Sequence, residues 1–295
     1  MYLTGFADEA ARDLAGQIAA TKELGWSNIE SRAIDGVNIH DLSDEAFDRA
    51  AAALDEAGVR VNCFGSTIGN WAKSIDSDAD FEKDLEQTHR AIARMKRLGT
   101  KMIRIMSWKV LEGRRPEDQM RELRWERLRR LVDLFLDAGL QPLHENCMNY
   151  AGRGWSYTLD MLDSVPGLKL VFDTGNPVML PDWTKPEPWP RQSSWEFYDA
   201  VKDHVAYVHI KDGNWIDGKM HFTYAGEGQG DVRRIVEDLV RRGYDGGISM
   251  EPHLAAIFHD PKTGLPDPVK MHDTYVEYGR RFEKLLAEAR AAAGA

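Results

Sequence analysis

Three carboxylates and one imidazole stand at or near the ends of four short apolar runs. Glu145 closes Leu143-His144-Glu145, and Asp173 closes Leu170-Val171-Phe172-Asp173. His209 lies in Tyr207-Val208-His209-Ile210-Lys211-Asp212, and Glu251 closes Ile248-Ser249-Met250-Glu251. Each run has strand composition, and the chain turns into a loop after it. If the four strands lie parallel in one barrel, all four side chains project from its C-terminal mouth, where barrel active sites sit. Hard carboxylate oxygens with one imidazole suit a single divalent ion with room for water or substrate. Mn²⁺ is the expected ion, and the donor set also admits Mg²⁺, Co²⁺ or Zn²⁺.

The elements that must position these groups recur along the chain as a helix, a glycine and a strand. Leu24-Gly25, Ala57-Gly58, Leu98-Gly99, Ala138-Gly139 and Arg242-Gly243 each end an amphipathic stretch and precede a β-type run. Glycine past a helix end takes a left-handed conformation that other residues resist. The pattern predicts strands near 2–6, 27–31, 59–65, 101–106, 140–145, 168–172, 205–210 and 247–251. Helices are expected near 11–24, 43–57, 78–98, 118–138, 156–164, 193–203, 230–242 and 270–291, with Ser43 and Asp231 as start signals. Eight alternating units without a linker imply one α/β domain over 1–295, a closed (β/α)₈ TIM barrel. Three long connections, 174–192, 211–229 and 252–269, follow strands and therefore lie at the mouth. They carry Trp183, Trp189, Trp215, Tyr224, His253, Phe258 and His259, rings that either stack on sugar faces or pack the loops down.

Composition excludes several classes. A formal net charge of −10 argues against a nucleic-acid partner, which needs clustered positive charge. The basic stretch Arg121–Arg130 alternates with acids at helical spacing and reads as a solvated or subunit-facing helix surface. No apolar run reaches membrane-spanning length, and the first residues lack the pattern of a secretory signal, so no membrane association is expected. Two cysteines, Cys63 and Cys147, form no disulfide framework, and a reducing cytoplasm is the expected location. Gly226 to Gly230 lacks a nucleotide fingerprint and reads as a turn. Cys147 has no base beside it and reads as a small packed residue.

Glu145, Asp173, the string His209-Ile210-Lys211-Asp212, and Glu251, in this order on strands five to eight, resemble the xylose isomerase-like TIM barrel superfamily. That group includes sugar-phosphate isomerases and epimerases, ketose 3-epimerases, inosose dehydratases, endonuclease IV and the large subunits of C-glycoside deglycosidases. The resemblance covers Gly5 to Glu251 and implies that Glu145 and Glu251 are an acid/base pair that also binds metal, while Asp173 and His209 are ligands only. Two positions depart from the ketose 3-epimerases: Asn176 stands where they have His, and Trp215 where they have Arg. The strand ends at Phe64-Gly65-Ser66 and Met106-Ser107-Trp108 offer no histidine, which argues against a trinuclear nuclease.

The chemistry so implied is proton abstraction beside a carbonyl, with the metal stabilising an enediolate. The leading expectation is a metal-dependent isomerase or epimerase of a small keto-sugar in carbohydrate metabolism. The alternative is a lyase or dehydratase that expels a leaving group from a 3-keto sugar or glycoside. A third reading is a metal- and sugar-binding barrel without turnover. The expected substrate contacts are Glu30, at the end of strand two, with Asn176, Lys211, Trp108, Trp215 and His144. Lys211 alternates in phase with His209 and so shares the mouth. His144 neighbours Glu145 and by the same alternation should face the helices, unless the strand end bends it into the site. A homo-oligomer or a second subunit is also consistent with the chain.

Overall fold

Gly25, Gly58, Gly99, Gly139 and Gly243 all take φ between +67° and +75°, so each expected helix end is closed by a left-handed glycine before the chain enters a strand. A computed structural model describes residues 1–255 and 267–294. Its barrel strands are β1 (Tyr2–Gly5), β2 (Asn28–Ser31), β3 (Arg60–Gly65), β4 (Met102–Ile105), β5 (Gln141–Glu145), β6 (Lys169–Asp173), β7 (Val205–Ile210) and β8 (Gly247–Met250). Among the described residues they form one parallel sheet in the order β1-β8-β7-β6-β5-β4-β3-β2. A parallel bridge between Phe6 and Glu30 joins β2 back to β1 and completes the (β/α)₈ barrel.

The surrounding helices are α1 (Leu14–Glu23), α2 (Asp44–Ala57), α3 (Asp78–Leu98), α4 (Arg121–Asp137), α5 (Trp155–Ser164), α6 (Ser194–Val201), α7 (Val232–Arg241) and α8 (Pro268–Ala293). They form because each carries one apolar stripe. In α7, Val232, Ile235, Val236, Leu239 and Val240 recur at helical spacing and are all buried, each contributing about 1.5–3 kcal/mol by leaving water. Ser43 caps α2 by accepting from the Ala46 amide at 3.2 Å. Asp231 precedes α7, but its φ of +51° is left-handed and its side chain caps nothing. No helix of the described residues is long and apolar enough to cross a membrane.

The main departure from expectation is in the connection 211–229, which contains an antiparallel hairpin pairing Asp212–Ile216 with Lys219–Thr223. Its turn is Asp217-Gly218, both with positive φ (+50° and +77°). Asp-Gly at the centre of a two-residue turn matches the right-handed twist of hairpin strands. The same dipeptide at Asp35-Gly36 closes a smaller hairpin, Ala33–Ile34 with Val37–Asn38. In the connection 174–192, Trp183 packs against Tyr150, Tyr157 and Trp189 with ring centroids 6.5, 6.0 and 5.6 Å away. Those rings pin the loop down. Phe258 and His259 lie outside the described residues. On α4, Arg124 is fully buried and donates to the carbonyls of Gln119, Ser107 and Lys109. It therefore departs from the solvated surface expected for that stretch and fixes the loop after β4.

Candidate metal centre and active site

Inside the barrel, Leu143, Val171 and Tyr207 pack with Cys63 in a small apolar cluster. Two residues further along the same strands, on the same inward face, stand Glu145, Asp173 and His209. Glu251 follows β8 two residues after Ser249, which is in register with His209. One ligand atom from each of Glu145, Asp173, His209 and Glu251 lies within 4.8 Å of every other, and all four residues are buried. The period of two along parallel strands places them in one layer.

Each of the four side chains is oriented by a further contact. Asp173 Oδ1 accepts from the Gly175 and Asn176 amides at 2.8 and 2.7 Å. Its Oδ2 is buried and accepts no aligned hydrogen bond, although Lys211 Nζ approaches to 3.1 Å. His209 Nε2 lies 3.0 and 3.1 Å from the two oxygens of Glu30. Its Nδ1 therefore faces the centre, 3.4 Å from Glu145 Oε1, and a carboxylate behind a ligating imidazole fixes its ring and tautomer. Glu145 Oε2 accepts from Arg104 Nη1 at 2.6 Å, and its Oε1 from Asn176 Nδ2 at 3.1 Å. Glu251 accepts from Arg32 Nη1 on one oxygen and Lys211 Nζ on the other, both at 2.7 Å. The Phe6 ring lies beneath both guanidiniums, 4.5 Å from Arg32 and 5.6 Å from Arg104, and edge-on to His209.

The charges explain why such a centre wants a cation. Asp8, Glu9, Glu30, Glu145, Asp173 and Glu251 face three permanent cations, Arg32, Arg104 and Lys211. With the His209 ring, which these carboxylates hold protonated, six against four leaves an excess of two negative charges. Burial, joined by the Glu251 and Glu145 charges, outweighs Lys211 and pushes the Asp173 pKa up to about 6. Burial alone would lower His209, but Glu30 and Glu145 outweigh it and push it up to about 10. Burial also opposes charge on Glu145 and Glu251, yet the adjacent cations, Arg104 first for Glu145 and Lys211 first for Glu251, hold both below the usual range. A divalent ion among these oxygens would offset the excess charge and give Asp173 Oδ2 a partner, so the residues present fit a metal.

Above the ligands lies a cavity of about 280 Å³. Its floor is Arg104, Glu145, Asn176, Lys211, Glu251 and His253. Trp71, Cys147, Met148, Met179, Met220 and Phe222 form its wall. The hairpin carrying Met220 and Phe222 is anchored by Asp212, whose carboxylate accepts from the amides of Gly213, Gly226, Gly228 and Gly230 at 2.8, 2.8, 3.0 and 2.8 Å. The glycine loop thus wraps an internal carboxylate. Asp212→Ala would leave these amides without their acceptor and is expected to cost at least about 3 kcal/mol. Thermal unfolding checks this, and an unchanged Tm would refute the anchoring role.

A second constraint is at Gly65, where a Cβ would lie 2.5 Å from Phe6 Cε1 and 3.2 Å from Arg32 Cβ. Gly65→Ala must displace the Phe6 ring, which packs edge-on against His209. Overpacking of this kind costs about 1–3 kcal/mol, and activity is expected to fall further than stability, because a displacement near 1 Å can cost about 10²-fold. Calorimetry beside a metal titration checks it; native metal affinity would be the contrary result.

The structure brings only some of the expected substrate contacts to the cavity. Asn176 and Lys211 line it, but the Lys211 ammonium is engaged by Glu251 and Asp173. Glu30 is fully buried behind His209 and holds that ring rather than lining the cavity. His144 faces outward, as strand alternation requires. It meets Ser107 Oγ at 3.1 Å, and burial pushes its pKa down to about 3, holding the ring neutral. Trp108 is fully buried, with Nε1 donating to Asp84 at 2.7 Å and its amide to Gly69, so it joins the loops after β3 and β4. Trp215 sits on the hairpin beneath the Arg191 guanidinium at 3.8 Å, outside the cavity.

Sequence reasoning missed Arg32, Arg104, Trp71 and the wall methionines. Arg104 carried a signal: a charged residue between Ile103 and Ile105 in an otherwise apolar strand has to find a buried partner. Trp71 and Met148 lie in loops, Met179 ends a one-turn helix and Met220 sits on the hairpin, and none of these short stretches carried a signal.

A family model described as a xylose isomerase-like TIM barrel matches residues 18–274. No curated protein matches the chain in sequence. Similar solved structures include the IOLI protein with a binding zinc atom, 14% identical, with a TM-score of 0.72 over 98% of this chain and 99% of that one. An L-ribulose 3-epimerase is 18% identical, with a TM-score of 0.68 over 99% and 96%. The probable 3-DHS dehydratase AsbF of Bacillus anthracis is 15% identical, with a TM-score of 0.67 over 96% and 99%. At these identities the likeness is one of fold.

Proposed function

The chain belongs to the xylose isomerase-like TIM barrel family, and from that premise we propose a divalent-metal-dependent isomerase or epimerase of a small keto-sugar or related polyhydroxy carbonyl compound. The observation that carries this reading is the layer of Glu145, Asp173, His209 and Glu251 around the buried Asp173 Oδ2, which accepts no aligned hydrogen bond. These four residues would hold the ion, with Mn²⁺ the expected one. When bound, a divalent ion supplies Lewis-acid stabilisation of negative charge on the substrate's carbonyl and hydroxyl oxygens.

The chain's own groups supply the proton transfers. Glu251 and Glu145 both line the cavity from different strands, so one takes a proton from the carbon beside the carbonyl and the other returns one. Arg32 and Lys211 orient Glu251, and Arg104 and Asn176 orient Glu145. The apolar wall excludes water that would otherwise quench the carbanion.

A lyase outcome is the second reading, favoured by one asymmetry. Both oxygens of Glu251 rest on permanent cations, whereas Glu145 has one permanent cation, with the Asn176 amide and the His209 ring at its other oxygen. Elimination needs one base, and epimerisation needs two of comparable strength.

Incubating metal-loaded protein with keto-sugars in heavy water separates the readings. Deuterium incorporation into an isomer is expected for the first, and loss of water or of a fragment for the second. Neither exchange nor loss across the panel would sink both.

A further inference from the structure

Resting on the proposed reading, and deepening it to a substrate class, we infer that the substrate is a neutral keto compound bearing a bulky apolar substituent. The polar end sits on the metal-ligand layer, and the substituent sits against Trp71, Met148, Met179, Met220 and Phe222.

Three observations support this. The first is the wall itself. Its five large apolar side chains come from four separate connections, after β3, β5, β6 and β7, and converge above one reactive centre. Each is half-buried. Phe222 is held edge-on against His253, with centroids 5.0 Å apart. Three of the five are methionines, whose unbranched thioethers fit irregular apolar shapes and contact aromatic rings favourably.

The second is the scarcity of neutral hydrogen-bonding groups. Among the described lining residues Asn176 is the one carboxamide, there is no hydroxyl side chain, and Asn176 Nδ2 already donates to Glu145. A free sugar could hydrogen-bond the polar floor on one side, but its hydroxyls on the wall side would face thioethers and ring faces and lose their hydration without replacement.

The third is charge. The centre has three more carboxylates than permanent cations, and Arg32, Arg104 and Lys211 are engaged by Glu251, Glu145 and Asp173. Among the described lining residues the permanent cations Arg104 and Lys211 are both held by carboxylates, so the site favours an uncharged substrate over a phosphate. The volume of about 280 Å³ is close to the lower bound of roughly 300 Å³ for cavities that enclose drug-sized ligands. It suits one sugar ring with one ring-sized substituent and no longer glycan.

The probes are 3-keto-β-D-glucopyranosides with a methyl or a phenyl aglycone, which keep the carbonyl free, titrated calorimetrically into the Mn²⁺-loaded protein. The phenyl compound is expected to bind at least about tenfold more tightly, the effect of burying one aromatic ring. The ratio should shrink toward one in Phe222→Ser and, independently, in Met179→Ser, each checked for folding by circular dichroism. Equal affinities, or a ratio unmoved by both substitutions, would overturn the inference. Deuterium exchange into the same two ketones reports separately on the proposed reaction. Exchange without a phenyl preference leaves the reaction standing and removes this inference. A phenyl preference without exchange or elimination does the reverse.

Discussion

Glu251→Gln is expected to lower turnover by about 10²–10⁴-fold, the range for removing a positioned acid or base. The amide keeps the shape and one acceptor oxygen, but it loses the charge opposite Arg32 and Lys211, whose donors lie 2.7 Å away. Removing one partner of a buried ion pair costs about 3–5 kcal/mol, so a fall in stability should accompany the loss. Turnover, chemical denaturation and metal content therefore need measuring on the same preparation. Glu145→Gln tests the other member of the pair. It leaves Arg104 without its carboxylate, and the Arg104 Nε has no hydrogen-bond partner even in the native chain. Near-native rates in either folded variant would sink the two-carboxylate mechanism. Loss in the Glu251 variant with survival in the Glu145 variant would favour the single-base lyase.

The second large effect is on the metal. Native protein purified without chelators is expected to carry about one divalent ion per chain, and the Asp173→Asn/His209→Asn double variant only traces. The two positions act differently. Asp173 offers its otherwise unaccepting Oδ2, whereas His209 offers Nδ1 only because Glu30 holds Nε2. A ligand bound to the folded state alone stabilises it by about 2.7 kcal/mol at a hundredfold excess over Kd. Added Mn²⁺ should therefore raise the native Tm by several degrees and leave the double variant's unchanged. Elemental analysis and a thermal scan decide it. Metal at native stoichiometry in the double variant would remove the proposed ligand set.

The barrel and the cluster of Glu145, Asp173, His209 and Glu251 were legible because both depend on local periodicity. Helical stripes, glycine ends and apolar runs predicted the eight strands to within about two residues of Tyr2–Gly5 through Gly247–Met250. Asp217-Gly218 and Asp35-Gly36 are equally local hairpin signals, each a two-residue turn between short paired runs.

Strand alternation also separated His144 from Glu145 correctly, one facing Ser107 and the other the ligand layer. It did not identify what stands behind each ligand. Glu30 meets His209 across 179 residues, and Arg32 meets Glu251 across 219. Nothing in the spacing of either pair encodes the encounter. It follows from closing the ring between Phe6 and Glu30, which brings the ends of β1, β2 and β8 together. Trp108 and Trp215 read as sugar platforms by residue type, but the fold engages their rings with Asp84 and Arg191 instead. The sequence by itself determined the repeat, the order of the strands' chemistry and the four residue types that meet at the barrel mouth, because each is written within a few neighbouring residues. Only the tertiary structure decided which cations hold those residues and which side chains wall the cavity, because those contacts join loops that are distant along the chain and adjacent only once the barrel is closed.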